Sequence, residues 1–549
     1  MSGKGGGLMD FAVYNPLEEY ENKFKALHLE NTKKLFDSYA EQSGVNIEEN
    51  RKTVELYNTY RENLSKLKKK YNLRRFFRVI MILTVVLIPV VIWKMTPKIR
   101  SLRKEIESAD SKADSLLNEA YNQMLPLCGM FGDDDSLNLI EQTIPMISFD
   151  SRFSAEREED MKINYDFGKQ KDSEESTLDL LSGEYNENPF LFENRRIHTM
   201  GQCTYEGTKT ITWTEIYTDS NGKRQRRTRT QTLHATVTKP KPYYTTQAVL
   251  NYGSQAGDKL SFGRDASHLE QKSEKAIERY VKKGEKKLKK KTDRAIEHNG
   301  DFMSMSNTDF EVLFDALDRD NEIQYRAIFT PLAQTNMVDL ILSKSGFGDD
   351  FNFFKTCRMN KIITGHSQGR QLKLPHDVYS SYSFDIIEEN FTGKNAEFFK
   401  QVYFDFAPLL AIPAYQERPV HSLKPIPELG RMYSQRECEL LANAADSKLV
   451  VHPETKTSAI LKTKFIESDG KADKTCITAY SYKTIPRVDI VSVRGDDGNY
   501  HDVPVDWKEY VPLTQKTDVY VSDSGNAKDK KVVAKKNGVC MFTNPHSVS

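Results

Sequence analysis

The sequence predicts an α+β protein: an N-terminal helical hairpin, one transmembrane helix, a short coiled-coil stalk and a large mixed domain with antiparallel β-sheet. Three observations predict it. Apolar residues recur at helical spacing through residues 11–75 and again over 99–120. An uncharged apolar run covers Val79 to Trp93. Strand-like alternation between turn dipeptides then dominates much of the remainder.

At 549 residues the chain is too long for one domain. Lys plus Arg number 79 against 78 Asp plus Glu, which argues against a surface built as a whole for nucleic acid but leaves room for a local basic patch. With 38% hydrophobic and 10% aromatic residues, the chain can bury a core. The cysteines at 128, 203, 357, 438, 476 and 540 stand far apart. That spacing excludes a CxxC redox motif, a paired-cysteine zinc module and a disulfide-dense scaffold. No cofactor or metal is expected.

Residues 1–10 are Gly-rich and read as disordered. Residues 11–75 form a helical module: Asn15-Pro16 supplies an N-cap and a proline at the first helical position, with Glu18 placed for a capping box. Leu17, Tyr20, Phe24 and Leu27 make the first apolar stripe and Gly44 a stop. A second helix carries Ile47, Val54, Tyr57, Leu64, Leu67 and Tyr71. Residues 76–94 read as a transmembrane helix, because Phe76 to Trp93 would span about 27 Å of a ~30 Å hydrocarbon layer with basic clusters on both flanks. The larger basic cluster, Lys66 to Arg78, places the N-terminus in the cytoplasm and the large C-terminal domain outside.

Residues 95–125 carry Ile99, Leu102, Ile106, Ala109, Ala113, Leu116 and Ala120 at 3,4 spacing. This coiled-coil-like seam, extended upward to Ile92, pairs two copies through 92–120 or packs on the domain that follows. The acidic, poorly periodic stretch within residues 126–200 reads as a linker or peripheral layer. Residues 201–265 are an antiparallel β region, with Ile211 and Trp213 on one face and Asn221-Gly222 as a type I′ turn. Arg224, Arg226, Arg227 and Arg229 follow it, as a phosphate-binding edge or, more simply, a charged edge strand that resists aggregation. Residues 301–420 mix helix and strand, and 421–549 are β-rich, with a turn at Gly495–Gly498.

Two segments look chemical. Residues 266–300 form a basic amphipathic helix in which Lys282, Lys283, Lys286, Lys287, Lys289, Lys290 and Lys291 are candidates for an anionic surface, lipid ahead of nucleic acid. Gly284 interrupts it. Gly365-His-Ser-Gln-Gly369 matches the nucleophile elbow of α/β-hydrolases and makes Ser367 a candidate nucleophile, with Asp405 and His452 able to fill a triad. The flanks argue against it: Arg370 stands where a small residue belongs, and Pro375 ends the following helix too early. Asp133–Asp135 read as a solvated turn. Asp318-Arg-Asp320-Asn-Glu322 fails as a calcium loop because Ile323 occupies the glycine position.

The runs Thr143–Asp150, Thr230–Ala235, Phe329–Gln334 and Phe406–Pro413 resemble an uncharacterised family of single-pass membrane proteins of wall-less and related low-GC bacteria. The resemblance implies a membrane-anchored protein and brings no functional residues with it. The function expected is therefore a membrane-anchored, non-enzymatic scaffold or binding protein, with the bilayer and an unidentified protein as partners and nucleic acid not expected among them. The alternatives are an envelope serine hydrolase and anionic lipid or nucleic-acid binding through 272–294.

Overall fold

In the computed structural model the described residues are 13–83, 93, 96–168, 173–218, 222–298, 300–420, 424–445, 447–468, 472–523, 533–536 and 539–544. They form a mixed α/β protein with antiparallel sheets. The chain divides into two compact units, residues 1–146 with 373–406, and 147–372 with 407–549.

The first unit is helical. Asn15 caps α1 (Pro16–Glu19), its side chain accepting from Glu18 N at 3.1 Å. A π-helical turn, Tyr20–Phe24, leads into α2 (Lys25–Ser43), which Gly44 ends at φ +64°. Left-handed backbone favours glycine there, so the stop read from sequence is a stop in space. Then come α3 (Ile47–Leu83), α4 (Thr96–Cys128) and α5 (Asp135–Thr143). The unit also holds α11 (Phe384–Leu410) as far as Phe406. Phe36, Met124, Leu127, Phe131, Tyr379, Ile387 and Phe391 share its core.

α3 and α4 run antiparallel. Asn50 Nδ2 reaches Gln123 Oε1 at 3.3 Å near one end of the pair, and Lys68 meets Asp110 at 3.3 Å further along. Ile99, Leu102, Ala113 and Ala120, the seam expected to join two copies, are buried within this unit. Their apolar surface is already covered by the chain itself.

The transmembrane reading is corrected. Among the described residues no helix is long and apolar enough to cross a membrane. Most of the described part of α3 is polar and charged, including Lys66 to Arg78. Within the 76–94 stretch, residues 84–92 and 94 lie outside the described residues. The single-pass topology and the assignment of cytoplasmic and outer sides fall with the span.

Burial in this unit leaves one titration to measure. His28 is buried, stacked 4.1 Å from the Phe399 ring, with Nε2 3.2 Å from the Asn395 carbonyl. Burial lowers its pKa to about 4, against backbone hydrogen bonds that pull upward. The unfolded imidazole protonates near 6.5 while the folded one stays neutral, so stability present above 6.5 is lost as pH falls towards 4. His28→Gln should lose less stability than the native chain on going from pH 7 to pH 5, by about 2 kcal/mol. Urea titrations at the two pH values read this directly, and equal losses would contradict it.

The second unit is built on two sheets. The first runs β1 (Ile147–Phe149), β2 (Glu175–Tyr185), β3 (Asn188–Thr218), β4 (Arg224–Gly253), β7 (Met359–Thr364), β6 (Phe351–Thr356) and β5 (Ser261–Arg264), in that spatial order and antiparallel throughout. The second orders β11 (Val533–Lys536), β12 (Val539–Asn544), β10 (Tyr500–Asp523), β9 (Asp473–Arg494) and β8 (Ile460–Ser468). Its β10–β12 pair is parallel and the others antiparallel.

Two long hairpins, β3–β4 and β9–β10, pack on each other through Ile211, Leu233, Ala235, Val503 and Val505. Gly207 lets them approach: a Cβ there would lie 2.1 Å from the Pro504 carbonyl oxygen. The opposite face of β3–β4 carries exposed threonines hydrogen-bonded across the ladder, Thr204 to Thr238 at 3.1 Å and Thr212 to Thr230 at 3.3 Å. Threonine satisfies β-propensity without exposing apolar surface.

Residues 126–200 are not a linker. α6 (Ala155–Tyr165) lies in this stretch, and Phe153, Met161, Tyr165 and Leu191 are buried in one cluster. Several of its acids are ion-pair partners rather than solvated charge. Glu158 and Glu193 both meet Arg436, at 3.1 and 2.8 Å. Arg436 belongs to α12 (Gln435–Ala444), which covers one face of the second sheet together with α13 (Ser447–Val450). Four further helices complete the unit: α7 (Glu274–Glu297), α8 (Thr308–Phe314), α9 (Glu322–Ile328) and α10 (Pro331–Leu342). An aromatic cluster of Phe262, Phe310, Phe314, Tyr325, Phe329 and Phe353 lies against β5 and β6.

Candidate anion-binding surface

The basic segment forms the helix its periodicity predicts. Gly284, which weakened that prediction, has a packing role: a Cβ on it would lie 2.2 Å from Val312 Cγ1, so glycine permits the close approach of α7 to α8. Leu288 is buried on the same side, with Ile277 and Tyr280 half-buried. The apolar stripe of α7 is therefore turned towards the unit's interior, with Leu288 buried, while Ile296 near the end of the helix stays 71% exposed.

The remaining circumference is cationic. At about 100° per residue, Lys275, Arg279, Lys282, Lys283, Lys286, Lys287, Lys289 and Lys290 fall within one arc of about 160°. All eight are exposed. Glu274, Glu278 and Glu285 sit together at one border of the arc, and no acid interrupts it before Asp293. Like charges stand four apart at Lys282–Lys286–Lys290 and Arg279–Lys283–Lys287, each pair costing about 0.2–0.5 kcal/mol of helix stability. Among the described residues none of the six lysines from 282 to 290 forms an ion pair. Lys282, Lys286, Lys289 and Lys290 leave their charge facing water, whereas Lys283 and Lys287 border a cavity shared with Asp315, whose ionised form Lys287 favours.

Lys291 does not belong with them. It points the other way round the helix, where its ammonium donates to the Leu317 carbonyl and lies 4.1 Å from the Phe302 ring centroid. Burial, and then the Arg319 guanidinium, lower its pKa. The periodicity held this information: Lys291 follows Gly284 by seven residues and Leu288 by three, on the packed side. A cavity of about 110 Å³ beneath the helix, bounded in part by Tyr280, Lys283 and Asp315, is too small for an organic ligand of ordinary size.

The Gly365–Gly369 run forms a tight turn rather than a nucleophile elbow. β7 precedes it as expected, but pairs antiparallel on both sides. No helix follows until a 3₁₀ turn at His376–Tyr379. Ser367 is fully buried, away from any substrate. Asp350 organises the turn: its carboxylate accepts from the His366 backbone at 2.8 Å and faces His366 Nδ1 at 2.7 Å, while the imidazole stacks on Phe347. Asp405 belongs to the other unit, and His452 Nδ1 accepts from Glu454 N at 3.2 Å.

The carboxylates of the rejected calcium loop tie down the edge of the first sheet. Asp318 accepts from Gly263 N at 2.9 Å and Asp320 from Ser261 N at 2.7 Å. Asp133, Asp134 and Asp135 meet His376, Lys373 and Tyr39 respectively. The arginines after the β3–β4 turn divide: Arg229 pairs with Glu215 at 2.7 Å, whereas Arg224, Arg226 and Arg227 form no ion pair among the described residues. Sequence reasoning missed a cleft of about 480 Å³ between the two sheets, lined by His198, Tyr244, Tyr480 and Tyr482 among others. It draws on five separate strands, and no local spacing signals it.

No family model, curated protein or solved structure matches the chain. The family resemblance rests on its four short runs alone.

Proposed function

We propose that this chain is a non-enzymatic binding protein that engages a phosphate-rich polyanion of the nucleic-acid class through the outer face of α7. The observation that carries the reading is the arc of exposed cations, itself free of acids from Lys275 to Lys290, on a helix whose opposite side packs on the unit's interior at Gly284 and Leu288. An amphipathic helix that lies in a lipid interface needs its apolar stripe free to insert. Here Gly284, Leu288 and Lys291 spend that stripe on the unit's own interior. A row of lysines presented outward suits a linear array of phosphates, where released counterions drive association.

Binding of the full chain to a fluorescein-labelled DNA duplex, read by anisotropy, tests this. Six outward lysines predict a log Kd against log salt slope of magnitude about 5, which weakens binding about a thousandfold between 50 and 200 mM salt. The triple variant Lys282→Glu, Lys286→Glu, Lys290→Glu should abolish binding with thermal unfolding unchanged. Salt-insensitive binding, an unaffected triple variant, or binding to anionic vesicles without binding to duplex would each refute the reading.

A further inference from the structure

Among the described residues, the β3–β4 hairpin outruns the β9–β10 hairpin that packs on it. The β9–β10 turn reaches it at Gly495, which packs on Ile211, and at Asp496, whose N–H donates to Gln231 Oε1 at 2.8 Å. Beyond that point Thr214–Thr218 pair with Arg224–Thr228, an extension of about 16 Å of two-stranded ribbon. Two-stranded ribbons gain little stability by themselves, so such an extension is not explained by folding. Its side chains are unusual for bare surface. Ile216 is 65% and Tyr217 48% exposed, beside Arg224, Arg226 and Arg227.

The register sorts these groups. Arg224 and Arg226 share one face with Ile216, while Arg227 lies on the other with Tyr217. Cations on both faces fit a ribbon held between two anionic walls better than one lying flat on a single charged surface. We propose that the paired segments Thr214–Thr218 and Arg224–Thr228 of the β3–β4 ribbon lie in the major groove of B-form DNA, the arginines meeting phosphates and base edges on either side. This rests on the polyanion-binding reading above and names the form of polyanion. The B-form major groove, about 12 Å wide, admits a two-stranded ribbon, whereas the A-form groove of duplex RNA is too deep and narrow for side chains to read.

The test compares a DNA duplex with the RNA duplex of the same sequence, using the full chain and the variant Arg224→Ala, Arg226→Ala, Arg227→Ala. These side chains are exposed, and thermal unfolding checks that the fold is retained. The proposal predicts at least about a tenfold loss of DNA affinity, a shallower salt slope, and RNA affinity unchanged within about twofold. A variant that binds DNA like the native chain overturns the ribbon's role and leaves the α7 reading standing. Equal losses on DNA and RNA overturn the groove assignment. A native chain that binds neither duplex overturns the functional reading itself, and this proposal with it.

Discussion

Replacing Arg436 with Met is expected to destabilise the second unit by about 3 kcal/mol or more. Its guanidinium is buried between two acids, Nε 2.8 Å from Glu193 and Nη1 3.1 Å from Glu158, over the Phe167 ring at 4.1 Å. Burial pushes both carboxyls up, and their cationic neighbours outweigh it: Arg195 and Arg436 for Glu193, Arg436 and Lys162 for Glu158. Both therefore titrate below the usual carboxylate range. A depressed carboxyl contributes stability that is present above its unfolded pKa and lost as pH falls through its folded pKa.

Methionine fills much of the arginine's volume but leaves the two carboxylates short of a counter-charge, so their pKa values rise. The deficit should be largest at pH 7 and narrow towards pH 4.5, where protonation relieves it. Adding Glu193→Gln should recover part of the loss, because Arg436 and Glu193 are directly coupled. Urea titrations of the single and double variants measure all three effects. A single variant as stable as the native chain at pH 7 would show that the network carries no net stability.

Gly207→Val should part the two long hairpins. The new Cβ would meet the Pro504 carbonyl oxygen at 2.1 Å and Val505 Cγ2 at 2.9 Å. The first contact is with backbone inside a continuous ladder, since Pro504 pairs with Ile490, so no rotamer change relieves it. Displacing β10 opens the cluster of Ile211, Leu233, Val503 and Val505, all of it apolar surface returned to water. Overpacking of this kind costs about 3 kcal/mol. Calorimetry of the variant should show a lowered Tm for this unit, and an unchanged Tm would mean that the ribbons shift apart without cost.

Local signals in the sequence survived into the structure. The Asn15–Glu18 cap, the stop at Gly44 and the turn at Gly495–Gly498 each depend on residues within a few positions of one another. Gly222 takes φ +77° after the β3 strand, while Asn221 of the same turn signal lies outside the described residues. What stayed hidden was hidden by distance along the chain. Glu158 and Glu193 look like linker acidity until Arg436, far downstream in sequence, is placed against them. The start of β3, Asn188 to Thr199, does not read as a strand because Glu193, Asn194 and Arg195 break the apolar run that a buried strand shows. Their burial is made possible by partners such as Glu175 and Arg436, which the pattern cannot reveal. Of the candidate site, the lysine arc was legible from helical period alone. The inward turn of Lys291 was legible from the same period and overlooked because charge was read by composition rather than by angle.

A polyanion on the outer arc of α7 would meet Lys286 and leave Lys291 untouched. The most direct measurement is the salt slope of duplex binding for Lys286→Ala beside Lys291→Ala. Lys286→Ala should flatten the slope by about one and leave the melting temperature alone. Lys291→Ala should leave the slope as it is and cost about 1–2 kcal/mol of stability, because the Leu317 carbonyl loses its donor. Equal slope changes for the two variants, or none for Lys286→Ala, would contradict a binding face on the outer arc of α7.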